Sequence, residues 1–200
     1  MVCTLRLLQV YVFFYKGYKF IRLVNVCIIG YTKRHIFCDL RIVIMKFRLI
    51  FIASLLFTSI MLAAGLAHVF SLPNKINLSR DEYLISQQLY RGWNLLAIAV
   101  VATLISLVIQ TVISRKKKGI FFPTIGALIC LLVSQAIFWI YTYPANRQTN
   151  NWSYLPDNWM ELRKTWEYSH AVAFIFNLAG LILIILSVVN KKTTGHPAIV

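Results

Sequence analysis

Four long apolar stretches organise this chain after residue 45. They cover residues 49–70, 93–113, 121–141 and 168–189, and none contains Lys, Arg, Asp or Glu. At a rise of ~1.5 Å per residue, a helix of ~20 residues crosses the ~30 Å hydrocarbon core of a bilayer. The pattern therefore predicts an all-α fold, a four-helix transmembrane bundle in contact with the lipid bilayer.

The two longer connections, residues 71–92 and 142–167, carry signals for short helical segments. Ser79 and Glu82 have the spacing of a capping box, which predicts a short helix leading into the second span. Residues 158–167 are predicted to be helical and to run directly into the fourth span. The first connection carries Leu72-Pro73-Asn74-Lys75. The second begins with Pro144 and an Asn-rich turn and then has Leu155-Pro156-Asp157, a signal for a turn or the start of a helix.

The first 44 residues differ from the rest of the chain. They are basic and aromatic and have no apolar run long enough to span a bilayer, whereas Met45-Lys46-Phe47-Arg48 resembles the start of a bacterial inner-membrane protein. We expect residues 45–200 to form the membrane domain and residues 1–44 to be an extension outside the native fold. The alternative for residues 1–44 is a basic segment lying on anionic lipid.

The apolar run of the first span also has features of a cleaved secretory signal. Its basic flank and Gly65-Leu66-Ala67 resemble such a signal with a small-residue cleavage site. The run is long for a signal, and three further spans follow it. These features favour an uncleaved first helix.

Basic residues are sorted between the two ends of the predicted bundle. From Met45 onward, one end carries eight basic residues and no acidic one: Lys46, Arg48, Arg115, Lys116, Lys117, Lys118, Lys191 and Lys192. The other end carries six basic and five acidic residues. The positive-inside rule then places both termini in the cytoplasm of a multi-pass protein of the bacterial inner (plasma) membrane. The formal net charge of +15 is explained largely by residues 1–44 and these flanks, so we predict no nucleic-acid partner.

Aromatic residues are concentrated at the less basic end. All five tryptophans map there, whereas an ordinary interfacial belt decorates both ends of a bundle. Two interpretations stay open: a belt with a packed aromatic cap, or an aromatic-lined ligand pocket.

Two histidines map to this same boundary, His68 at the end of the first span and His170 at the start of the fourth. Glu167 lies three residues before His170, and Arg163 lies four before Glu167, a spacing that also fits a helix ion pair. A di-iron bundle site needs a second Glu-x-x-His pair, which is absent, and the four cysteines form no CxxC motif. We predict no metal or other cofactor, with haem or a metal ion at His68 and His170 as the alternative.

Several separated blocks carry a family resemblance: residues 68–75, 87–93, 151–152 and 159–170. Together they resemble a large family of four-helix membrane proteins of unknown function that is grouped with the fungal anthrone oxygenases. The resemblance implies a four-helix membrane fold and, for some relatives, cofactor-independent oxidation of a polyphenolic anthrone to a quinone. By this analogy the candidate site residues are His68, Asn74, Arg91, Trp159, Arg163 and His170.

The resemblance suggests a mechanism on a small lipophilic aromatic ligand. His170 or His68 would act as base, and Arg163 or Arg91 would stabilise the oxyanion. The predicted substrate contacts are Asn74, Trp159, Trp166 and Asn177, although Asn177, near mid-depth in the fourth span, also fits a hydrogen bond between helices. The alternative functions are a non-enzymatic membrane scaffold or complex subunit, and a small transporter with a polar path through Gln110, Gln135 and Asn177.

Overall fold

The computed structural model describes residues 18–193. The chain divides into two units, Met1–Met45 and Lys46–Val200, and the second contains the membrane bundle. Residues 1–17 of the predicted extension, and residues 194–200, lie outside the described part. The helices are α1 (Tyr18–Lys75), α2 (Arg80–Gln87), α3 (Leu96–Ser114), α4 (Lys118–Ile137), α5 (Tyr143–Gln148) and α6 (Trp159–Thr193).

Within residues 18–193, four segments are long and apolar enough to cross a membrane. They are Phe47–Lys75, Trp93–Ser114, Lys118–Gln148 and Trp159–Asn190. Residues 18–193 contain helices and turns and no strand. The predicted all-α four-helix bundle with short helical segments in its two longer connections is confirmed, and the chain is a multi-pass membrane protein.

Polar and aromatic contacts define the order of the helices in the bundle. The Gln110 amide donates to Ser54 Oγ at 2.8 Å and so joins α3 to α1. His68 on α1 stacks on His170 of α6, and α4 packs along both α3 and α6. Each membrane helix therefore has two helical neighbours.

Small residues permit close approach between these neighbours. A Cβ on Gly65 would lie 3.3 Å from Phe174 of α6, and one on Gly126 would lie 3.1 Å from Leu183. In lipid, where apolar burial gives little net drive, such close backbone packing is a main source of helix association. Gly65 therefore sets the separation of α1 and α6 one turn before His68.

Two membrane helices continue past the prolines that were expected to mark their connections. α1 includes Pro73 and ends only at Lys75, and Ile76 N donates to Leu72 O at 3.0 Å. The third span passes through a π-helical turn, Phe138–Thr142, in which Tyr143 N–H donates to Phe138 O five residues back. Pro144 has no backbone N–H to donate, and its ring would clash with the preceding turn of an α-helix. The wider π-helical turn accommodates both, and α5 follows without a break.

The predicted short helix in the first connection is confirmed as α2. The Glu82 carboxylate accepts hydrogen bonds from Ser79 Oγ at 2.6 Å and from Ser79 N at 2.9 Å. These two bonds hold the pKa of Glu82 below its ordinary value. The bond from the Ser79 hydroxyl has the larger effect, and the bond from the Ser79 backbone N–H has the smaller one. The prediction that residues 158–167 are helical and lead into the fourth span is also confirmed, because α6 is continuous from Trp159.

The connections pack into a cap over one end of the bundle, formed by residues 76–92 and 143–158. Its apolar core comprises Tyr83, Ala145, Trp152, Leu155, Leu162 and Trp166. Arg80 of the first connection donates to the Leu155 carbonyl of the second. The cap is therefore a packed unit, as one of the two interpretations of the aromatic residues predicted.

Trp152 enters the core of the cap on a left-handed stretch of backbone. Asn150, Asn151 and Trp152 have φ values of 47°, 54° and 59°. Asparagine tolerates this conformation, whereas tryptophan rarely adopts it. The Trp152 N–H donates to Thr149 Oγ1 at 3.1 Å and its indole donates to Asn146 Oδ1 at 3.0 Å, so two bonds hold the strained residue in place.

Candidate functional site

The two histidines meet in a parallel stack at the boundary between bundle and cap. The His68 and His170 ring centroids are 4.0 Å apart with an angle of 9° between the ring planes. Tyr90 stacks on His68 at 4.5 Å and 24°. The three rings form one column to which α1, α6 and the first connection each contribute.

Two tryptophans close the sides of this column. Trp166 presents an edge to His68 at 4.9 Å and to His170 at 4.4 Å, and Trp93 lies 5.5 Å from His68. The Trp166 indole donates to Asn146 Oδ1 at 2.8 Å, which fixes its orientation. The His68 ring is thus buried among aromatic rings.

A buried ion pair lies beside the column. Lys75 Nζ is 2.8 Å from Glu167 Oε1, and the side chain of Glu167 is 0% exposed. Lys75 also donates to the Tyr90 hydroxyl at 2.8 Å, and the Tyr83 hydroxyl donates to Glu167 Oε1 at 3.1 Å. Polar contacts therefore run from Tyr90 through the ion pair to Tyr83. We call the following residues the histidine cluster: His68, Lys75, Tyr83, Tyr90, Glu167 and His170.

Helix periodicity explains how two helices supply most of this cluster. His68 and Lys75 are seven residues apart, about two turns, so both lie on one face of α1. Glu167 and His170 are three apart on α6. Lys75 joins this face only because α1 continues through Pro73. Sequence reasoning that assigned residue 75 to a loop missed it for that reason.

Several buried polar atoms of this region have no hydrogen-bond partner within residues 18–193. They are His68 Nδ1, Gln87 Nε2, Gln87 Oε1, Arg163 Nε and Glu167 Oε2. Burial of an unpaired polar group is unfavourable, and such a group in a folded protein is explained by a bound water or ion, by strain or by a functional role. Tyr83 is also affected by its buried position. Burial is the main cause that raises the pKa of its hydroxyl above the ordinary value, and the negative charge of the neighbouring Glu167 carboxylate is the second.

Arg163 lies in the core of the cap, next to the cluster. Its guanidinium donates to the Leu78 carbonyl at 2.8 Å and lies over the Trp159 ring at 4.6 Å and the Tyr83 ring at 5.3 Å. The interpretation of the Arg163–Glu167 spacing as a helix ion pair is wrong. In the described part of the chain Glu167 pairs with Lys75, because α1 delivers an ammonium group directly opposite it.

The other predicted site residues are dispersed. Arg91 is exposed and donates to Gln88 Oε1, and Asn74 is exposed in the last turn of α1. Asn177 is half-buried, two turns along α6 from His170. The structure thus brings His68, His170 and Trp166 together, places Arg163 and Trp159 beside them, and leaves Arg91 and Asn74 at the surface.

The stacked histidines do not fit a single metal ion shared between them. An imidazole nitrogen binds a metal along its lone pair, which lies in the ring plane, at ~2.0–2.1 Å for zinc. Two nearly parallel planes with centroids 4.0 Å apart cannot both contain one ion at that distance. Among the described residues, no group of three or more His, Cys, Asp or Glu side chains gathers around the pair.

Comparison of the chain with protein-family models, with curated proteins and with solved structures finds no match. The resemblance to the anthrone oxygenases and their relatives therefore stays a prediction. The fold and the cluster define the class of the protein: a four-helix membrane protein with a buried histidine, lysine and glutamate cluster under an aromatic cap.

Proposed function

We propose that the histidine cluster catalyses the cofactor-independent oxidation of a lipophilic phenolic aromatic of the anthrone type by O₂. The observation that carries the proposal is the stacked pair of the buried His68 and the half-buried His170, beside the Lys75–Glu167 ion pair. A base and a cation in one water-poor site are the two groups that this reaction requires from a protein.

The chemistry begins with proton transfer from the methylene carbon of the substrate to a histidine. The resulting carbanion, delocalised onto the oxygen of the ring ketone, gives one electron to O₂, and recombination of the two radicals forms a carbon–oxygen bond. Protonation yields a hydroperoxide. Loss of the second methylene proton then expels hydroxide as the peroxide bond breaks, which leaves a carbonyl group and, after proton return, water. The net reaction converts substrate and O₂ into quinone and water.

Lys75 is better placed than either predicted arginine to stabilise the substrate oxyanion. Its Nζ lies 4.7 Å from the Tyr90 ring centre and 5.2 Å from that of Trp166, the same two rings that contact His68. Arg91 is exposed and Arg163 is engaged with Leu78. In this proposal His68 and His170 exchange protons, Lys75 holds the oxyanion, and Glu167 positions Lys75.

The proposed location of this site is the outer face of a bacterial inner (plasma) membrane, with both termini cytoplasmic. The cap and the cluster lie at the end opposite the Arg115–Lys118 connection. The positive-inside rule supports this orientation. A lipophilic substrate dissolved in the outer leaflet would lie at the depth of the histidines.

The two alternative functions account for less of the structure. A transporter needs a polar path, but the bundle beyond the cluster is packed with an apolar core that includes Met61, Leu107, Leu131 and Ile184. Gln110, predicted for such a path, instead bonds to Ser54 and to the Ile50 carbonyl. A scaffold or complex subunit would explain exposed aromatic residues such as Trp139, but not a buried ion pair.

The direct test is turnover by purified protein in lipid nanodiscs. Anthrone is supplied in buffer at neutral pH, and quinone absorbance and O₂ uptake are followed against empty nanodiscs, which give the spontaneous rate. General acid–base catalysis contributes ~10²–10⁴-fold, so His68→Gln, His170→Gln and Lys75→Met are each expected to lose most of the catalysed rate. Lys164→Met, an exposed lysine on α6, is the matched control and should retain it.

A folded wild-type protein that gives no rate above empty nanodiscs with anthrone or its hydroxylated derivatives would refute the enzymatic proposal. Rates in all three cluster variants that equal the wild-type rate would refute the assignment of the site. Monodisperse elution and a cooperative unfolding transition above the assay temperature identify the variants that are folded.

A further inference from the structure

An apolar groove opens between α1 and the start of α3. Its volume is about 610 Å³, within the ~300–1,000 Å³ typical of small-ligand sites. Its lining is almost entirely apolar and includes Phe57, Ile60, Ala63, Ala64, Trp93 and Leu96. All of these residues belong to two of the candidate membrane spans, Phe47–Lys75 and Trp93–Ser114. A ligand in the groove therefore comes from the bilayer.

The groove leads to the histidine cluster. Ala64 lies four residues before His68, about one helical turn or ~6 Å along α1. Trp93 both lines the groove and presents its edge to His68 at 5.5 Å. The Trp93 indole is thus the wall between the lipid-facing groove and the buried imidazole.

The backbone at this wall is built for a turn with free space around it. Gly92, which also lines the groove, has φ +87°, and a Cβ at this position would meet nothing within 4 Å. It separates two short 3-10 turns, Gln88–Tyr90 and Trp93–Leu95. Tyr90 and Trp93, the two aromatic residues that flank Gly92, both contact His68. Trp93 begins the 3-10 turn that runs directly into α3, so a change of its side-chain rotamer would move the indole away from His68 with α3 in place.

We propose that the substrate is a phenolic aromatic with an apolar tail that reaches His68 sideways from the bilayer through this groove, with Trp93 as the movable partition. The proposal rests on the proposed function for the identity of the ring. The groove supplies the tail: Phe57 and Ala64 are seven residues apart, so its wall on α1 extends ~10 Å toward the membrane interior. A wall without charged residues selects an alkyl or isoprenoid chain rather than a polar one.

Photolabelling tests this route without requiring turnover. An alkylphenol with a diazirine near the end of its tail is added to the protein in nanodiscs and irradiated, and labelled peptides are identified by mass spectrometry. We expect labels on residues 57–64 and 95–99, suppressed at least fivefold by excess unlabelled alkylphenol. A phosphatidylcholine with the same diazirine on its acyl chain is expected to label without such competition.

A matched pair of variants fills the groove or leaves it open. Ala63 lines the groove, and Ala136 is exposed on α4 outside it. Ala63→Phe is expected to reduce competable labelling at least fivefold, whereas Ala136→Phe should leave it unchanged. Trp93→Ala should preserve labelling in the groove and raise the rate with tailed substrates at low concentration.

The outcomes separate this inference from the proposed function. Labelling spread evenly over the lipid-facing surface, or equal competition of the phospholipid probe and the phenol probe, would overturn the lateral route even in an active enzyme. Competable labelling in the groove of a protein that oxidises no anthrone would uphold the route and refute the oxidation. The wild-type labelling map decides the question if Ala63→Phe fails to fold.

Discussion

At the scale of single residues, the main feature is a charge pair that solvent does not reach. Glu167 and Lys75 neutralise each other at 2.8 Å, and the Tyr83 and Tyr90 hydroxyls add one hydrogen bond each. Removal of one partner of such a pair leaves an uncompensated buried charge, which costs about 3–5 kcal/mol. Replacement of both partners by apolar residues avoids that penalty.

The ion pair therefore predicts strong coupling between two substitutions. Glu167→Leu and Lys75→Met should each lower the free energy of unfolding by about 3–5 kcal/mol, and Lys75→Met/Glu167→Leu should lose less than either. Glu161→Ala, at an exposed position of the same helix, should change stability by less than about 0.5 kcal/mol. Reversible unfolding in mixed detergent–SDS micelles measures all four. Additive losses in the double variant would contradict the pairing.

Tyr83 predicts a loss of stability in alkali. Burial raises the pKa of its hydroxyl in the folded state, so the folded protein favours the neutral phenol. This contribution is complete below the unfolded-state pKa of about 10 and declines as the pH rises above it. Between pH 9 and 11, the free energy of unfolding should fall more steeply with pH in the wild type than in Tyr83→Phe. The difference in slope should approach the value for the release of about one proton on unfolding. Tyr154→Phe, at an exposed tyrosine, should follow the wild type.

At the scale of elements, apolar run length and capping chemistry predicted most of the helices. The Ser79–Glu82 box and the continuous α6 were both readable because they depend on residues close together in sequence. The end of α1 and the end of the third span could not be predicted from the sequence in this way. Proline usually ends a helix, and whether a π-helical turn absorbs Pro144 depends on packing in the cap.

Close approach of α1 and α6 gives a prediction about glycine. A methyl group on Gly65 would meet Phe174 at 3.3 Å, whereas one on Gly119 meets only Asn190 at 3.8 Å. Gly65→Ala should therefore lower the free energy of unfolding by about 1–3 kcal/mol through overpacking. Gly119→Ala should be neutral or stabilise by up to about 1 kcal/mol, since alanine favours helix. A Gly65→Ala protein as stable as Gly119→Ala would show that the helices separate easily.

At the scale of the whole molecule, the sequence placed the two histidines at one end of the bundle but did not predict the groups that surround them. Placement of His68 and His170 at one depth followed from topology alone, and their contact is seen in the structure. Lys75 and Tyr90 could not be assigned, because they reach the histidines through the extension of α1 and the folding of a connection. Long-range packing of this kind leaves no periodic signal in the chain.

The charge distribution of the folded molecule sharpens the expected orientation. Lys75 and Arg163 are buried at the cap end, as is Glu167, so four exposed basic side chains remain there against four exposed acidic ones: Arg80, Arg91, Arg147 and Lys164, with Asp81, Glu82, Asp157 and Glu161. From Met45 onward, all the charged side chains at the end with the Arg115–Lys118 connection are basic. Retention of that end in the cytoplasm is what the positive-inside rule predicts.

Cysteine accessibility tests this orientation in cells. In a chain with its four native cysteines replaced by serine or alanine, Asn151→Cys should react with a membrane-impermeant maleimide in intact cells, after permeabilisation of any outer membrane. Lys117→Cys should react only after the inner membrane is lysed. Both positions are exposed, so differences in labelling report the side of the membrane rather than burial. The reverse pattern would place the histidine cluster at the cytoplasmic face, and its substrate would then be drawn from the inner leaflet.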